Sequence, residues 1–336
     1  MIKIYKMMFL FTTMFGTLIS ISSFSWMGMW MGLEINLLAI IPLMNNSDNN
    51  FSSEASLKYF ISQALASTIF LFSLILISNN FIIMNISNYL ILMLNSSLLI
   101  KMGSAPFHFW FPEVMEGLSW MNCMLLLTWQ KIAPMILLMY NLNFPMFFML
   151  IIVLSMLVSG IMGFNQTSLR KIIAFSSINH IAWMLSSMFI METIWLHYFI
   201  IYFIISINII IIFYANNIFY LKQLFVSFNK NFMIKLFFIL NFLSLGGLPP
   251  FLGFFPKWIT IQNLVENNFI MLSLIMIILT LIILYYYMRI TFSSLMINLN
   301  ELNYNFNYSN SNNLIFCINF ISLSGLLFST LMFNYL

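Results

Sequence analysis

Gly103-Ser104-Ala105-Pro106-Phe107-His108-Phe109-Trp110-Phe111-Pro112 and Gly247-Leu248-Pro249-Pro250-Phe251-Leu252-Gly253-Phe254-Phe255-Pro256 are two copies of one phrase, Gly-x-x-Pro-Phe-x-x-aromatic-Phe-Pro. A lysine stands beside each within apolar sequence, Lys101 before the first copy and Lys257 after the second. Pro106, Pro249 and Pro250 lack amide donors, so each phrase interrupts a helical ladder and frees carbonyls. Two such phrases in an apolar chain indicate a duplicated membrane unit, with a broken helix and a buried charge in each half.

The composition sets the solvent. Of 336 residues, 62% are hydrophobic and only 6% are charged. A soluble chain of this length would carry about a quarter charged residues to cover its surface. This chain cannot do so, and lipid is its expected surrounding. The net charge of +4 is too small and too dispersed to indicate nucleic-acid binding. Cys123 and Cys317 stand in apolar stretches without CxxC spacing, which argues against a disulfide framework and against iron–sulfur ligation. The start, with Lys3 and Lys6 before an apolar run, reads as a retained first helix, since no small-residue cleavage site follows it.

A hydrocarbon core needs about 20 apolar residues per helix. That window predicts an all-α chain with eleven spans, beginning near Met7, Trp26, Leu57, Phe81, Ser119, Pro145, Arg170, Thr193, Lys235, Phe269 and Leu314. Alternating them from an inside N-terminus puts Lys3, Lys6, Lys58, Arg170, Lys171, Lys222, Lys230, Lys235 and Arg289 at or near one face. The opposite loops hold only Glu192 and Glu266. This asymmetry follows the positive-inside rule and supports an odd number of spans. The two phrases then end the fourth and ninth spans on opposite sides. Two inverted five-helix repeats, at about 7–140 and 145–290, with an added helix at about 314–334, are the expected architecture. No segment reads as a separate soluble domain, so residues 1–336 form one transmembrane domain.

Charges inside the spans mark the candidate site. Glu34 lies mid-span, where a charge costs about 3 kcal/mol on insertion scales and a short carboxylate cannot reach the surface. Lys131, in Gln130-Lys131-Ile132-Ala133-Pro134, is equally deep, with Pro134 loosening the ladder after it. A desolvated amine can take and release a proton near neutral pH, as a solvated one cannot. Lys101 and Lys257 are closer to span ends, where snorkelling competes with function. His180 is mid-span and could relay protons or be a hydrogen-bonded structural residue. His197 reads as packing, and the two histidines do not form a haem pair. Glu113 and Glu116 read as a solvated turn, and the scattered methionines as packing or lipid-facing residues. There is no Rossmann fingerprint, P-loop or Ser/His/Asp arrangement.

Gly32-Leu33-Glu34-Ile35-Asn36, Glu54-Ala55-Ser56-Leu57-Lys58, Lys101 with the first phrase, Thr128-Trp129-Gln130-Lys131, Asn165-Gln166-Thr167-Ser168-Leu169-Arg170 and the second phrase with Lys257-Trp258 carry a family resemblance. Over nearly its whole length the chain resembles the antiporter-like membrane-arm subunits of respiratory complex I, in their shortened animal mitochondrial form. Bacterial relatives have three further N-terminal helices, whose place lipid or accessory subunits could fill.

The resemblance implies a proton-translocating role for Glu34, Lys101, Lys131 and Lys257, and a less firmly assigned one for His180. It implies that Glu34 pairs with Lys101, that switching of the pair biases Lys131, and that Lys257 continues the charged axis toward a neighbouring antiporter-like subunit. It also implies partners among the complex I membrane-arm and accessory subunits and membrane lipids, and a place in the mitochondrial inner membrane. NADH, FMN, iron–sulfur clusters and ubiquinone would lie on other subunits, since no motif for them occurs here. A cation/proton antiporter and a non-pumping scaffold remain as alternatives. Sodium-coupled transport without NADH oxidation would mark the first. Pumping that survives substitution of all four axial residues would mark the second.

Overall fold

Helix α1 (Ile4–Ser22) shows what kind of surface this chain presents. Its buried positions are Thr13, Gly16, Thr17 and Ser20, while Met8, Phe11, Phe15 and Leu18 are exposed. Small and hydroxylated residues thus face the protein and large apolar ones face outward, which is stable only where the surroundings are apolar. Thr13, Thr17 and Ser20 satisfy their hydroxyls on carbonyls three residues back, so no polar group on that face goes unpaired. At about 1.5 Å per residue the helix is long enough to cross a hydrocarbon core of roughly 30 Å.

The structure is a computed structural model that describes residues 4–45, 49–78, 84–228, 232–296 and 319–320. Among the described residues it is helical throughout, with one isolated bridge between Ser168 and Tyr220. The chain divides into two compact units, residues 1–147 and 148–336.

In the first unit, α1 packs on α2 (Trp26–Met44), followed by α3 (Asn50–Ser78), α4 (Met84–Met102), α5 (Trp110–Gly117), α6 (Trp120–Leu127) and α7 (Trp129–Met139). The α1–α2 crossing is as close as backbones allow. A methyl on Gly32 would lie 2.5 Å from the Ser20 amide nitrogen and 2.8 Å from the Gly16 carbonyl oxygen. Such contact between small residues replaces the hydrophobic drive that lipid removes.

The second unit contains α8 (Pro145–Gly163), α9 (Leu169–Met188), α10 (Glu192–Ala215), α11 (Leu221–Phe228), α12 (Phe232–Gly246), α13 (Phe254–Glu266) and α14 (Ile270–Met296). In α9 every residue but Arg170 and Lys171 is buried, although Ser176, Ser177, Asn179, His180, Ser186 and Ser187 make it polar. An all-buried helix with this many polar groups forms the centre of its unit, and its serines bond their own carbonyls.

Seven stretches are long and apolar enough to cross a membrane: α1, α2, α3, α6 with α7 (Trp120–Met139), α8, α10 and α14. The chain is therefore a multi-pass membrane protein. Two shorter apolar helices, Asn88–Met102 and Phe232–Gly246, are the ones that end at the repeated phrase. Of the eleven expected spans, the one near Arg170 corresponds to α9, whose polar residues keep it from being apolar enough. The span near Leu314 and the added helix at 314–334 lie outside the described residues, apart from Asn319 and Phe320.

Candidate functional site

Both copies of the phrase end a helix in the same way. Gly103 (φ 75°) and Gly247 (φ 82°) take the left-handed conformation that closes α4 and α12, a conformation disfavoured once a Cβ is present. The amide of each bonds back into the last turn, Gly103 to Leu99 and Ile100, Gly247 to Leu243 and Ser244. The Ala105–Pro106 peptide is cis. Carbonyls beyond those bonds are left for other donors, and in both units side chains supply them.

In the first unit, Gln63 Nε2 donates to the Lys101 carbonyl at 3.4 Å and Trp110 Nε1 to the Ile100 carbonyl at 3.0 Å. Lys101 itself, in the last turn of α4, is only 8% exposed. It lines a cavity of about 20 Å³ with Asn36, Tyr59, Gln63, Gln130 and Pro134, room for about one water molecule. Glu34, half-buried on α2, acts electrostatically on Lys101. The two do not close to an ion pair, and Glu34 Oε1 is buried without a hydrogen-bond partner. A buried oxygen of this kind requires a donor or a proton. The pairing that the resemblance implies is thus one of proximity, not of contact.

Lys131 is 2% exposed, and its ammonium lies 5.7 Å from the centre of the Phe111 ring, a residue of the first phrase. Two breaks frame it. Pro134 removes the donor that would bond the Gln130 carbonyl. Before it, α6 and α7 part at Thr128 (φ −114°, ψ −74°), whose hydroxyl donates to the Met124 carbonyl at 2.6 Å. Sequence reading singled out only the proline, because a lone threonine in an apolar run carries no break signal. It also gave no role to the amide pair that joins α2 to α7. Asn36 Nδ2 donates to Gln130 Oε1 at 2.9 Å, and Gln130 Nε2 donates back to Asn36 Oδ1 at 3.0 Å. Asn36 stands two residues after Glu34 and Gln130 one before Lys131, so the pair ties the helices that carry both charges. Polar residues next to a mid-span charge were the available signal.

In the second unit, Lys257 is 7% exposed and donates to the Gly246 carbonyl at 2.8 Å and the Leu245 carbonyl at 3.2 Å. Those are the open carbonyls at the negative end of α12. Its ammonium also lies 5.9 Å from the centre of the Trp183 ring, and Trp183 Nε1 is buried without a hydrogen-bond partner. One turn back along α9, His180 Nδ1 shares a 3.0 Å hydrogen bond with the Tyr198 hydroxyl, and the Tyr202 ring lies 5.0 Å away. Lys257 therefore neighbours Trp183, one turn along α9 from His180, which their spacing in sequence could not show. Lys58 and Glu113, by contrast, form an exposed ion pair at 2.8 Å, with Glu54 also on Lys58. That fits the solvated reading given to Glu113. No cluster of three potential metal ligands occurs among the described residues.

Each unit thus places a buried amine beside a broken helix, Lys101 and Lys131 in the first and Lys257 in the second. Comparison with known proteins places the chain in a family. Residues 23–283 fit the family described as NADH:quinone oxidoreductase/Mrp antiporter, transmembrane. The chain is 50% identical over 340 aligned positions to NADH-ubiquinone oxidoreductase chain 2 of Anopheles gambiae, covering 98% of each chain. It is 53% identical to that of Aedes aegypti, again over 98% of both. Among solved structures it superposes on a chain of respiratory complex I from Thermus thermophilus with a TM-score of 0.88 at 21% identity, covering 98% of this chain and 79% of that one. The chain belongs to the NADH:quinone oxidoreductase/Mrp antiporter transmembrane family, within which its likeness is to the NADH-ubiquinone oxidoreductase chain 2 proteins.

Proposed function

We infer that this chain is a proton-translocating membrane-arm subunit of a NADH:quinone oxidoreductase, with electron transfer carried out on other subunits. The observation that carries this reading is a set of buried ionisable groups at helix breaks, in a chain alike over its full length to insect chain 2 proteins. Glu34, Lys101 and Lys131 are the proton-exchanging groups of the first unit, Lys257 and His180 those of the second. Movement of charge near Glu34 alters the protonation of Lys101. The small polar cavity and the Asn36–Gln130 pair pass the change to α7 and Lys131.

The full arrangement in this reading is eleven spans, with two inverted five-helix repeats and a C-terminal helix in one domain. The recurrence of the left-handed glycine break in both units supports it. NADH, FMN, iron–sulfur clusters and ubiquinone sit elsewhere in the complex. The partners are neighbouring antiporter-like and accessory subunits and lipid. The location is the mitochondrial inner membrane, supported by a composition rich in Met, Phe, Ile and Asn, residues with A/T-rich codons. A balanced codon usage in the gene would count against that location.

The test is Lys131→Ala in the assembled complex, reconstituted in sealed vesicles, recording NADH:quinone turnover and protons moved per electron together. A fall in either supports the assignment. Unchanged values for both in a fully assembled enzyme establish a scaffold instead.

A further inference from the structure

At the end of the second unit where α8 turns into α9, a cavity of about 350 Å³ opens between α8, α11 and α14. Arg289, Tyr286, Gln166, Thr167, Phe164 and Phe225 are among the residues that line it. Arg289 is held in place: its guanidinium lies 5.7 Å from the centre of the Phe164 ring, and that ring stacks on Tyr285 at 5.7 Å with an interplanar angle of 7°. Arg289 is itself exposed, and neither ion pair among the described residues involves it. Tyr286 is buried, with its hydroxyl beside that of Tyr287. An exposed arginine and a buried phenol thus border one cavity.

The charge around this cavity has one sign. Arg170 and Lys171 begin α9 and Lys222 begins α11. Lys235, near the start of α12, donates to the Leu295 carbonyl close to the end of α14. The described acidic residues of the unit, Glu192 and Glu266, stand at the other ends of α10 and α13. Phe164, Phe225, Ile172 and Ile290 supply an apolar wall. Fixed positive charge above apolar lining at the inner end of membrane helices suits a group that is anionic at its head and apolar below it.

We propose that this cavity binds the phosphate-bearing headgroup of an anionic membrane phospholipid, with Arg289 as its principal contact. The guanidinium donates to the phosphate oxygens, the Tyr286 hydroxyl and the Gln166 and Thr167 side chains complete the polar shell, and the acyl chains run down the apolar wall. The site is separate from the proton-exchanging groups and does not depend on their assignment.

The test uses the intact purified enzyme in phosphatidylcholine vesicles that contain a photoactivatable phosphatidylglycerol. Adducts are mapped by mass spectrometry on residues 163–172 and 221–228. Labelling there should exceed that by a photoactivatable phosphatidylcholine at least about fivefold, the factor that about 1 kcal/mol per basic residue confers. This comparison needs no variant. Arg289→Gln, in enzyme whose NADH:quinone turnover shows that it has assembled, should abolish the excess, and Arg289→Lys should keep part of it. Equal labelling by both lipids overturns the proposal, as does an excess that survives Arg289→Gln. Displacement of the labelling by millimolar inorganic phosphate would instead identify a site for free anions.

Discussion

Replacing Gly247 by alanine should disable Lys257 without substituting that residue. The left-handed φ of 82° costs an alanine about 1–2 kcal/mol. The new methyl would also stand 2.8 Å from both Cδ and Nζ of Lys257, against an ordinary contact of about 3.5–4.0 Å. The lysine tip must therefore retreat by roughly 1 Å, which takes its 2.8 Å bond to the Gly246 carbonyl out of hydrogen-bonding range. A charged hydrogen bond of this kind contributes about 1.5–3 kcal/mol. If the seated ammonium is what exchanges protons, losing that seat slows turnover by about tenfold or more, since 1.4 kcal/mol is a factor of ten. The assay is NADH:quinone turnover, with proton movement, in assembled complex for Gly247→Ala, Lys257→Met and the double variant. Each single variant should fall by a similar factor, and the double should fall no more than about twofold further, because both remove the same interaction. Reductions that multiply in the double variant would refute the reasoning and leave Gly247 with a purely conformational role.

Other outcomes follow from the same geometry. Glu34→Gln keeps the shape of α2 and removes the carboxylate beside Lys101, so turnover should fall at least about tenfold while the complex still assembles on native gels. Asn36→Ala and Gln130→Ala should each destabilise the subunit by about 1–3 kcal/mol, as each strands the other amide. Their double variant should cost less than the sum, measured as thermal release of the subunit from the complex. Gly32→Ala drives a methyl into the Ser20 backbone and should lower the yield of assembled complex, with a cost of about 1–3 kcal/mol. Tyr198→Phe deprives His180 of its 3.0 Å partner, and turnover should drop by about fivefold, the equivalent of a bond of about 1 kcal/mol.

What could be read from residues alone was whatever local chemistry dictates. A proline removes an amide donor wherever it stands, so Pro106, Pro249 and Pro250 announced both breaks, while the left-handed glycines Gly103 and Gly247 that close the helices emerged only from the structure. A glutamate or lysine within an apolar span is visible because its cost there is high. Three further features escaped such reading. The break at Thr128 depends on a side chain competing for a backbone carbonyl, which most threonines in apolar runs do without parting the helix. The Asn36–Gln130 pair joins positions 94 residues apart, and only packing brings them together. The burial of α9 escaped as well: the span near Arg170 was legible, but its serines read as polar, and only the structure shows their self-satisfied hydroxyls letting it be enclosed.

The two lysines flanking the repeated phrase look mismatched in sequence: Lys101 precedes its glycine by two positions, and Lys257 follows its own by ten. In space the mismatch closes. Aligned on the phrase, Lys101 and Met102 correspond to Leu245 and Gly246, and these are the two residues whose carbonyls receive the Lys257 ammonium. Each unit thus brings a cation to the last turn before a left-handed glycine, once from within the turn and once from the helix that follows. The end of a helix carries about half a negative charge, which helps to hold an amine inside a low-dielectric region without a carboxylate in contact. The means of support then differ. Lys257 rests on two carbonyls and the Trp183 face, whereas Lys101 borders a cavity of about one water and feels Glu34. A cation held by fixed carbonyls changes its charge only when its seat moves. One beside a titratable carboxylate and a water changes when that carboxylate does. Under the proposed proton-translocating function, that difference would suit Lys101 to receive a signal and Lys257 to respond to motion of the helix break itself.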